Sequence, residues 1–282
     1  MFSDVLLTVD FDRTLTGPDS VIPQRNLEAI RWFIENGGAF TVNTGRSLPM
    51  ALPFKDIVPV NAPLLLYNGA AAYDVQKEEI VFAQEIQLDM WKTVEEMIEL
   101  FPDLVVEIQA LDKHYNFVHD DGWDAFSANN CPYATAQVGQ DLGPFLKLTV
   151  YGRIWDVTVA HMFVGTPEEL QRMDEAEELL NRRYGDKLAV FRAAPRVIDM
   201  QAKGVSKGIA ARRLLEQMGR KILVCVGDGE NDIVMLDDAD YSFVPSDAIL
   251  RERYENVCPC GEGAVADVIY EKIPQILKRI SK

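Results

Sequence analysis

The run Val5-Leu6-Leu7-Thr8-Val9 is apolar almost without a break and is followed at once by Asp10-Phe11-Asp12-Arg13-Thr14, then Gly17 and Pro18. Five such residues without alternation describe a strand buried on both faces, the condition of an inner strand in a parallel sheet. Two carboxylates at i and i+2 at the end of that strand repel each other and raise each other's pKa unless a cation or a hydrogen-bond network offsets the charge. The pair marks either a metal-assisted site, one carboxylate the nucleophile and the other an acid/base, or a polar strand exit whose Asp side chains cap a turn.

Later segments repeat the pattern. Pro23 opens a helix with Leu27, Ile30 and Ile34 on one face, closed by Gly37-Gly38. The strand Ala39–Val42 ends in Asn43-Thr44-Gly45-Arg46, the run Leu64–Tyr67 in Asn68-Gly69, and Lys221–Val226 in Gly227-Asp228-Gly229-Glu230-Asn231-Asp232. Four buried-type strands therefore deliver polar residues at their carboxyl ends, the edge of an open parallel α/β sheet at which ligands bind. The middle of the chain differs, with helix-like stretches at Met90–Leu100 and Pro167–Tyr184 and strand-like ones at Leu104–Gln109, Tyr115–Val118, Phe145–Val150 and Val157–Phe163. The expected fold is α/β: a Rossmann-like, doubly wound, mostly parallel sheet (1–83 and 191–282) with an inserted α+β domain (84–190).

Composition narrows the partners. At 282 residues and 48% hydrophobic the chain can bury one large or two smaller cores. A net charge of −16 repels phosphate backbones and anionic lipid, which argues against nucleic acid and membrane. A small anionic substrate stays compatible where a metal and a local cation reverse the field. No basic segment leads into an apolar stretch at the N-terminus and no run of 18 apolar residues occurs, so a soluble cytoplasmic protein is expected. Of the four cysteines, Cys225 reads as a buried thiol, and Cys258-Pro259-Cys260 lacks the second pair that zinc would need.

Gly204-Val205-Ser206-Lys207-Gly208 opens a helix with Ser206 at its N-cap and Ile209, Ala210, Leu214 and Met218 expected inward. A lysine in the first turn opposes the helix dipole, so Lys207 either answers a nearby anion or is a solvated surface lysine. The segment also fits G-x-S-x-G, but that triad needs a histidine after the serine, and His114, His119 and His161 all precede Ser206. Gly227-Asp228-Gly229 starts like a dinucleotide fingerprint, yet Asp232 replaces the third glycine and sets a carboxylate where pyrophosphate would lie. The spacing does not suit a calcium loop, whereas hard oxygens, few in number, suit Mg²⁺ completed by water and substrate phosphate.

Taken in order, Asp10-x-Asp12-x-Thr14, Thr44, Lys207 and Gly227-Asp228-Gly229-Glu230-Asn231-Asp232 resemble the four motifs of the haloacid dehalogenase superfamily. Tyr67-Asn68-Gly69-Ala70, Gly204–Gly208 and Asp228–Leu236 resemble its Cof-type sugar-phosphate phosphatase branch, and the insertion resembles its cap domain in position and size. One departure is Arg13, where the family most often has glycine; Lys203 is a rival to Lys207, which has the better spacing. The resemblance implies an Mg²⁺-dependent phosphatase for small phosphorylated metabolites. Asp10 would be the nucleophile, Asp12 the acid and then base, and Thr44 and Lys207 the groups on the phosphoryl. Asp10, the main-chain carbonyl of Asp12, Asp228 and Asp232 would hold the metal, with Gly45, Asn68 and Asn231 beside the substrate. It also implies that Asp12 argues for phosphoryl transfer, since halide release needs no proton. A phosphomutase on the same fold and a non-catalytic phosphate-binding regulator are the alternatives. Within Lys113–Trp123, residues His114, Tyr115, Asn116, His119 and Trp123 form either a discriminating surface or the cap's own core.

Overall fold

The computed structural model describes residues 1–117, 131–152 and 165–280. Two compact units emerge, one of Met1–Gly45, Phe54–Phe82 and Ser206–Lys282, the other of Arg46–Pro53 and Ala83–Val205. Strands β1 (Val5–Val9), β2 (Ala39–Val42), β3 (Leu64–Leu66), β4 (Ala71–Asp74) and β5 (Glu79–Ala83) are followed by β6 (Leu104–Gln109), β7 (His114–Asn116), β8 (Tyr133–Thr135), β9 (Lys147–Gly152), β10 (Leu188–Ala194) and β11 (Val197–Ala202). The last three are β12 (Ile222–Val226), β13 (Tyr241–Pro245) and β14 (Glu255–Val257).

The first unit is built on a parallel sheet in the order β14-β13-β12-β1-β2. A parallel bridge between Asn43 and Leu65 sets β3 beside the end of β2, and β3 opens a smaller sheet, β3-β4-β5. Every residue of β1 is buried, as an unalternating apolar run requires of an inner strand. On one side Leu6, Leu65, Leu223 and Cys225 pack with Ala211 and Leu214 of the helix Lys207–Gln217 and with Met235 and Leu236 of the helix Ile233–Asp238. A leucine buried this fully contributes about 2 kcal/mol. Ser206 caps the first of these helices by accepting from the Ile209 N–H at 3.1 Å. Ile209 itself is 51% exposed, not inward as expected: the buried stripe runs through Lys207, Gly208, Ala211 and Leu215, and Ile209 falls on its flank.

In the second unit a sheet runs β10-β11-β9-β6-β7-β8, antiparallel at every pair except β7–β8. Alternation gives it two faces. Leu104, Val106, Ile108, Leu148, Val150 and Met200 occupy the apolar one. Arg192, opposite Ile198 on that side, bonds Glu177 and Asp174, which places the helix Pro167–Tyr184 there. The other face carries two polar rows across the strands, Asn116–Glu107–Thr149–Asp199 and His114–Gln109–Lys147–Gln201, and all eight side chains are buried.

This pairing corrects the expected domain limit. The sequence reading returns the chain to the first unit at residue 191, but β10 and β11 hydrogen-bond into the second unit's sheet, which holds the chain to Val205. The short segment Arg46–Pro53 also belongs to the second unit, where Ser47 Oγ lies 2.7 Å from His114 Nε2. The strand expected at Val157–Phe163, and His119, His161 and Trp123, lie outside the described residues. No described helix is long and apolar enough to cross a membrane.

Candidate active site

Because β1 lies between β12 and β2, the three carboxyl ends that carry Asp10, Thr44 and Asp228 emerge side by side. Main-chain bonds continue the pairing past the strands. Asp10 N–H donates to the Val226 carbonyl at 2.9 Å, Asn43 N–H to Val9 at 2.8 Å, Thr44 N–H to Leu65 at 2.9 Å, and Asn68 N–H to Thr44 at 2.9 Å. The residues at these ends therefore sit on a backbone that is already paired, the rigid support a reacting group needs.

Lys207 is the hub. Its side chain is fully buried, and its Nζ donates to Asp10 Oδ1 and Asp232 Oδ1, each at 2.6 Å. Of the two sequence readings of this lysine, the structure supports the one with an anion nearby. Lys203, the rival, donates to the Gly185 and Asp186 carbonyls within the second unit. Asp232 Oδ2 accepts the N–H groups of Asp228 and Gly229, both at 3.0 Å, so one carboxylate closes the loop after β12 and holds the lysine. Gly227 makes room for that: a Cβ there would lie 2.6 Å from Asp232 Cγ.

Tyr67, Asn68 and Gly69 all have positive φ (52°, 52° and 97°). This turn presses the backbone against the start of the lysine helix, where a Cβ on Gly69 would lie 2.5 Å from the Ser206 carbonyl oxygen, so only glycine fits. It also holds Asn68 Oδ1 3.4 Å from Asn231 Nδ2, and a side chain on Gly45 would start 2.8 Å from the same oxygen. The substrate-side residues named from sequence (Thr44, Gly45, Asn68, Lys207 and Asn231) are thus gathered in one unit with Asp10, Asp12, Asp228 and Asp232.

Electrostatics explain why a cation belongs here. Burial pushes the Asp10 carboxyl well above the usual carboxylate range; Lys207 opposes this, while Asp232, Asp228 and Asp12 add to it. Burial, then Asp232, raise Asp228 to about 7, against the pull of Lys207, Arg13 and a 3.3 Å bond from Thr14 Oγ1. Burial alone would lower the Lys207 ammonium, but Asp10 and Asp232 carry it above its ordinary value. Asp10, Asp228 and Asp232 each offer an oxygen within 4.8 Å of the others. Three carboxylates facing one lysine, all hard oxygen donors, fit a small divalent cation such as Mg²⁺. The Asp12 carboxylate is not part of that group, so its assignment to the metal concerns the main-chain carbonyl.

Three participants carried no role in the sequence reading. Asn43 Nδ2 donates to the Lys207 carbonyl at 2.8 Å and ties β2 to the lysine helix. Thr14 bonds Asp228, and Arg13 Nε lies 3.8 Å from Asp228 Oδ2. Arg13 has φ 58°, the left-handed conformation that favours glycine, so its departure from the family's usual residue leaves the backbone shape in place.

A parallel α/β sheet with an acidic cluster at its carboxyl edge and a buried lysine beside it defines a hydrolase fold of the haloacid dehalogenase type. A family model for haloacid dehalogenase-like hydrolases matches residues 7–251, and the chain belongs to that family. A Haemophilus influenzae protein provisionally named a phosphatase is 26% identical over 258 residues, 89% of this chain and 87% of that one. An HMP-PP phosphatase of Serratia proteamaculans is 23% identical over 276 residues, 93% and 92% of the two chains. The crystal structure of a haloacid dehalogenase-like hydrolase from Bacteroides thetaiotaomicron superposes with a TM-score of 0.77 at 20% identity, over 97% of this chain and all of that one (100%).

Proposed function

We propose that the chain is an Mg²⁺-dependent phosphatase that hydrolyses small phosphomonoesters through an aspartyl phosphate on Asp10. The observation that supports this best is the buried Asp10–Lys207–Asp232 chain with Asp228 within ligand distance. It offers an oriented carboxylate, a fixed positive charge and a cation site at the end of one strand.

Asp10 Oδ attacks phosphorus in line; the new Oδ–P bond forms as the ester P–O bond breaks, and Asp12 gives its proton to the leaving alkoxide. Asp12, now ionised, takes a proton from the water that attacks the phosphorus of the acyl phosphate, which frees Asp10 and inorganic phosphate. Thr44 donates a hydrogen bond to the transferring group, and Lys207 holds Asp10 in place while opposing the charge on the phosphoryl oxygens. Asp10, the Asp12 carbonyl and Asp228 would hold Mg²⁺, with Asp232 in support. Bound there, the ion supplies Lewis-acid neutralisation of phosphoryl charge. Asp232, both of whose oxygens are engaged, keeps lysine and loop in register. Choice among phosphorylated metabolites is assigned to the second unit.

The test is phosphate release from a panel of phosphorylated sugars and an aryl phosphate, with and without Mg²⁺, for the native chain and Asp10→Asn. Metal-dependent release that Asp10→Asn abolishes is expected. Isomerised sugar phosphate without free phosphate would replace the reading with a mutase, and Mg²⁺ binding without turnover would replace it with a regulator.

A further inference from the structure

Asn43 stands between β2 and Thr44 and is 0% exposed. Its N–H donates at 2.8 Å to the carbonyl of Val9, the residue before Asp10, and its main chain bridges to Leu65. Its side chain turns to the lysine helix. Nδ2 donates to the Lys207 carbonyl at 2.8 Å and lies 3.4 Å from Sδ of Met235, on the helix that follows Asp232. Oδ1 is buried with no partner. The amide has one possible orientation, because a carbonyl has no proton to give and only the nitrogen end can face Lys207.

The fold does not call for this amide. A carbonyl in the first turn of a helix already accepts the N–H four residues on, and the orphan groups at a helix start are N–H groups. In exchange for one extra bond to that carbonyl, the core keeps an amide oxygen with nothing to accept. A buried unpaired acceptor costs as much as such a bond returns, or more. An apolar residue on this inner strand would carry no such cost.

What the bond does is hold the lysine at its other end. Nζ is fixed 2.6 Å from Asp10 Oδ1 and 2.6 Å from Asp232 Oδ1, but a flexible stem separates it from the main chain. Asn43 fastens that main chain to the residue that pairs with Val9 and precedes Thr44. Once Asp10 bonds phosphorus its carboxyl no longer carries a full charge, and Lys207 is left with Asp232 and Asn43.

We infer that Asn43 is a positioning residue for the reaction, its amide N–H setting Lys207 against Asp10 and Thr44 through the lysine main chain. The role rests on the phosphatase reading and adds to it a residue that acts through the lysine.

The experiment compares the native full-length chain with Asn43→Ala and Asn43→Asp. kcat and KM are measured on p-nitrophenyl phosphate at saturating Mg²⁺, and thermal melts are recorded with and without Mg²⁺. Asn43→Ala is expected to lower kcat by about tenfold or more, with KM within about twofold of native. It should melt within a few degrees of the native chain, since the lost bond and the lost orphan oxygen offset each other, and should keep the Mg²⁺ shift. Asn43→Asp keeps the shape but, ionised, has only acceptors to set against the Lys207 carbonyl, so it should lose at least as much kcat. A kcat within about twofold of native in either variant would overturn the inference and leave the phosphatase reading standing. Failure of both variants to fold would also overturn it, by making Asn43 a structural residue, as would loss of the Mg²⁺ shift in Asn43→Ala, by placing the effect at the cation site. No turnover by the native chain on any ester would remove the phosphatase reading and this role with it.

Discussion

Lys207 Nζ stands 2.6 Å from one oxygen of Asp10 and 2.6 Å from one oxygen of Asp232, with the lysine side chain sealed from solvent. A buried ammonium between two buried carboxylates holds the site together only while all three are present. Lys207→Met would leave the acids facing each other unpaired, at a cost of about 3–5 kcal/mol, and would lower turnover by roughly a thousandfold or more. Asp10→Asn removes the nucleophile but also one repelling charge, and Lys207 keeps Asp232; it should lose all turnover and melt within a few degrees of the native chain. Phosphate release and calorimetry on the two variants check this. A Lys207→Met chain as stable as the native one would show that the ion pair does not organise the site.

The same cluster makes a prediction for metal removal. Asp10, Asp228 and Asp232 repel one another, so a cation that binds only the folded chain stabilises it by mass action, about 2.7 kcal/mol at a hundred times Kd. Adding Mg²⁺ to chelator-treated protein should raise Tm by several degrees. Asp228→Asn should melt at or above the native metal-free chain, because a carboxylate that burial and Asp232 disfavour has gone, and should lose the Mg²⁺ response. A full Mg²⁺ shift in Asp228→Asn would place the cation elsewhere.

Arg13 offers a test of backbone strain. Its φ of 58° costs an ordinary residue roughly 1 kcal/mol that glycine does not incur, partly offset by glycine's greater freedom in the unfolded chain. The half-exposed guanidinium, 3.8 Å from Asp228, offers little in return as an ion pair. Arg13→Gly is therefore expected to be more stable than Arg13→Ala by roughly 1 kcal/mol, the alanine variant losing the same contact while keeping the strain. Equal melting temperatures would mean that the segment relaxes when the arginine is removed.

Much of the first unit was legible because each of its signals is local. An unbroken apolar run means an inner strand, and a polar cluster after it lies at the sheet's carboxyl edge whatever the rest of the chain does. Asp10, Thr44 and Asp228 are found that way, and Lys207 by its misfit with the helix dipole. Asn43 could not be assigned its bond, because its partner is 164 residues away and only the folded sheet brings them together. The end of the second unit was misplaced because nothing in Leu188–Ala202 distinguishes a strand of one sheet from a strand of the other. The polar face is the most instructive miss. Glu107-Ile108-Gln109 and Lys147-Leu148-Thr149 alternate as half-solvated strands do, and alternation alone would send those polar side chains to water. Their burial follows from tertiary packing that leaves no local trace.

His114 on that face links structure to pH. Burial would lower its pKa, but the charge of the Glu107 carboxylate, followed by hydrogen bonds that the ring donates to Cys131 and Glu107, lifts it from 6.5 to about 9. The folded chain therefore binds the imidazole proton more tightly than the unfolded chain does. The resulting stabilisation, on the order of 3 kcal/mol, is complete below the unfolded pKa of 6.5 and is lost as pH rises through about 9. At neutral pH both ring nitrogens carry protons, Nδ1 facing Glu107 and Nε2 donating to Ser47 Oγ at 2.7 Å, so this Ser–His–Glu arrangement has no base to activate the serine. The native chain should hold its margin over His114→Gln from pH 6 to 7 and lose most of it by about pH 10, read as the difference between their melting temperatures along a pH series. A margin that grows with pH would mean that the imidazole is neutral in the fold, and Ser47 would then have a base within hydrogen-bonding distance.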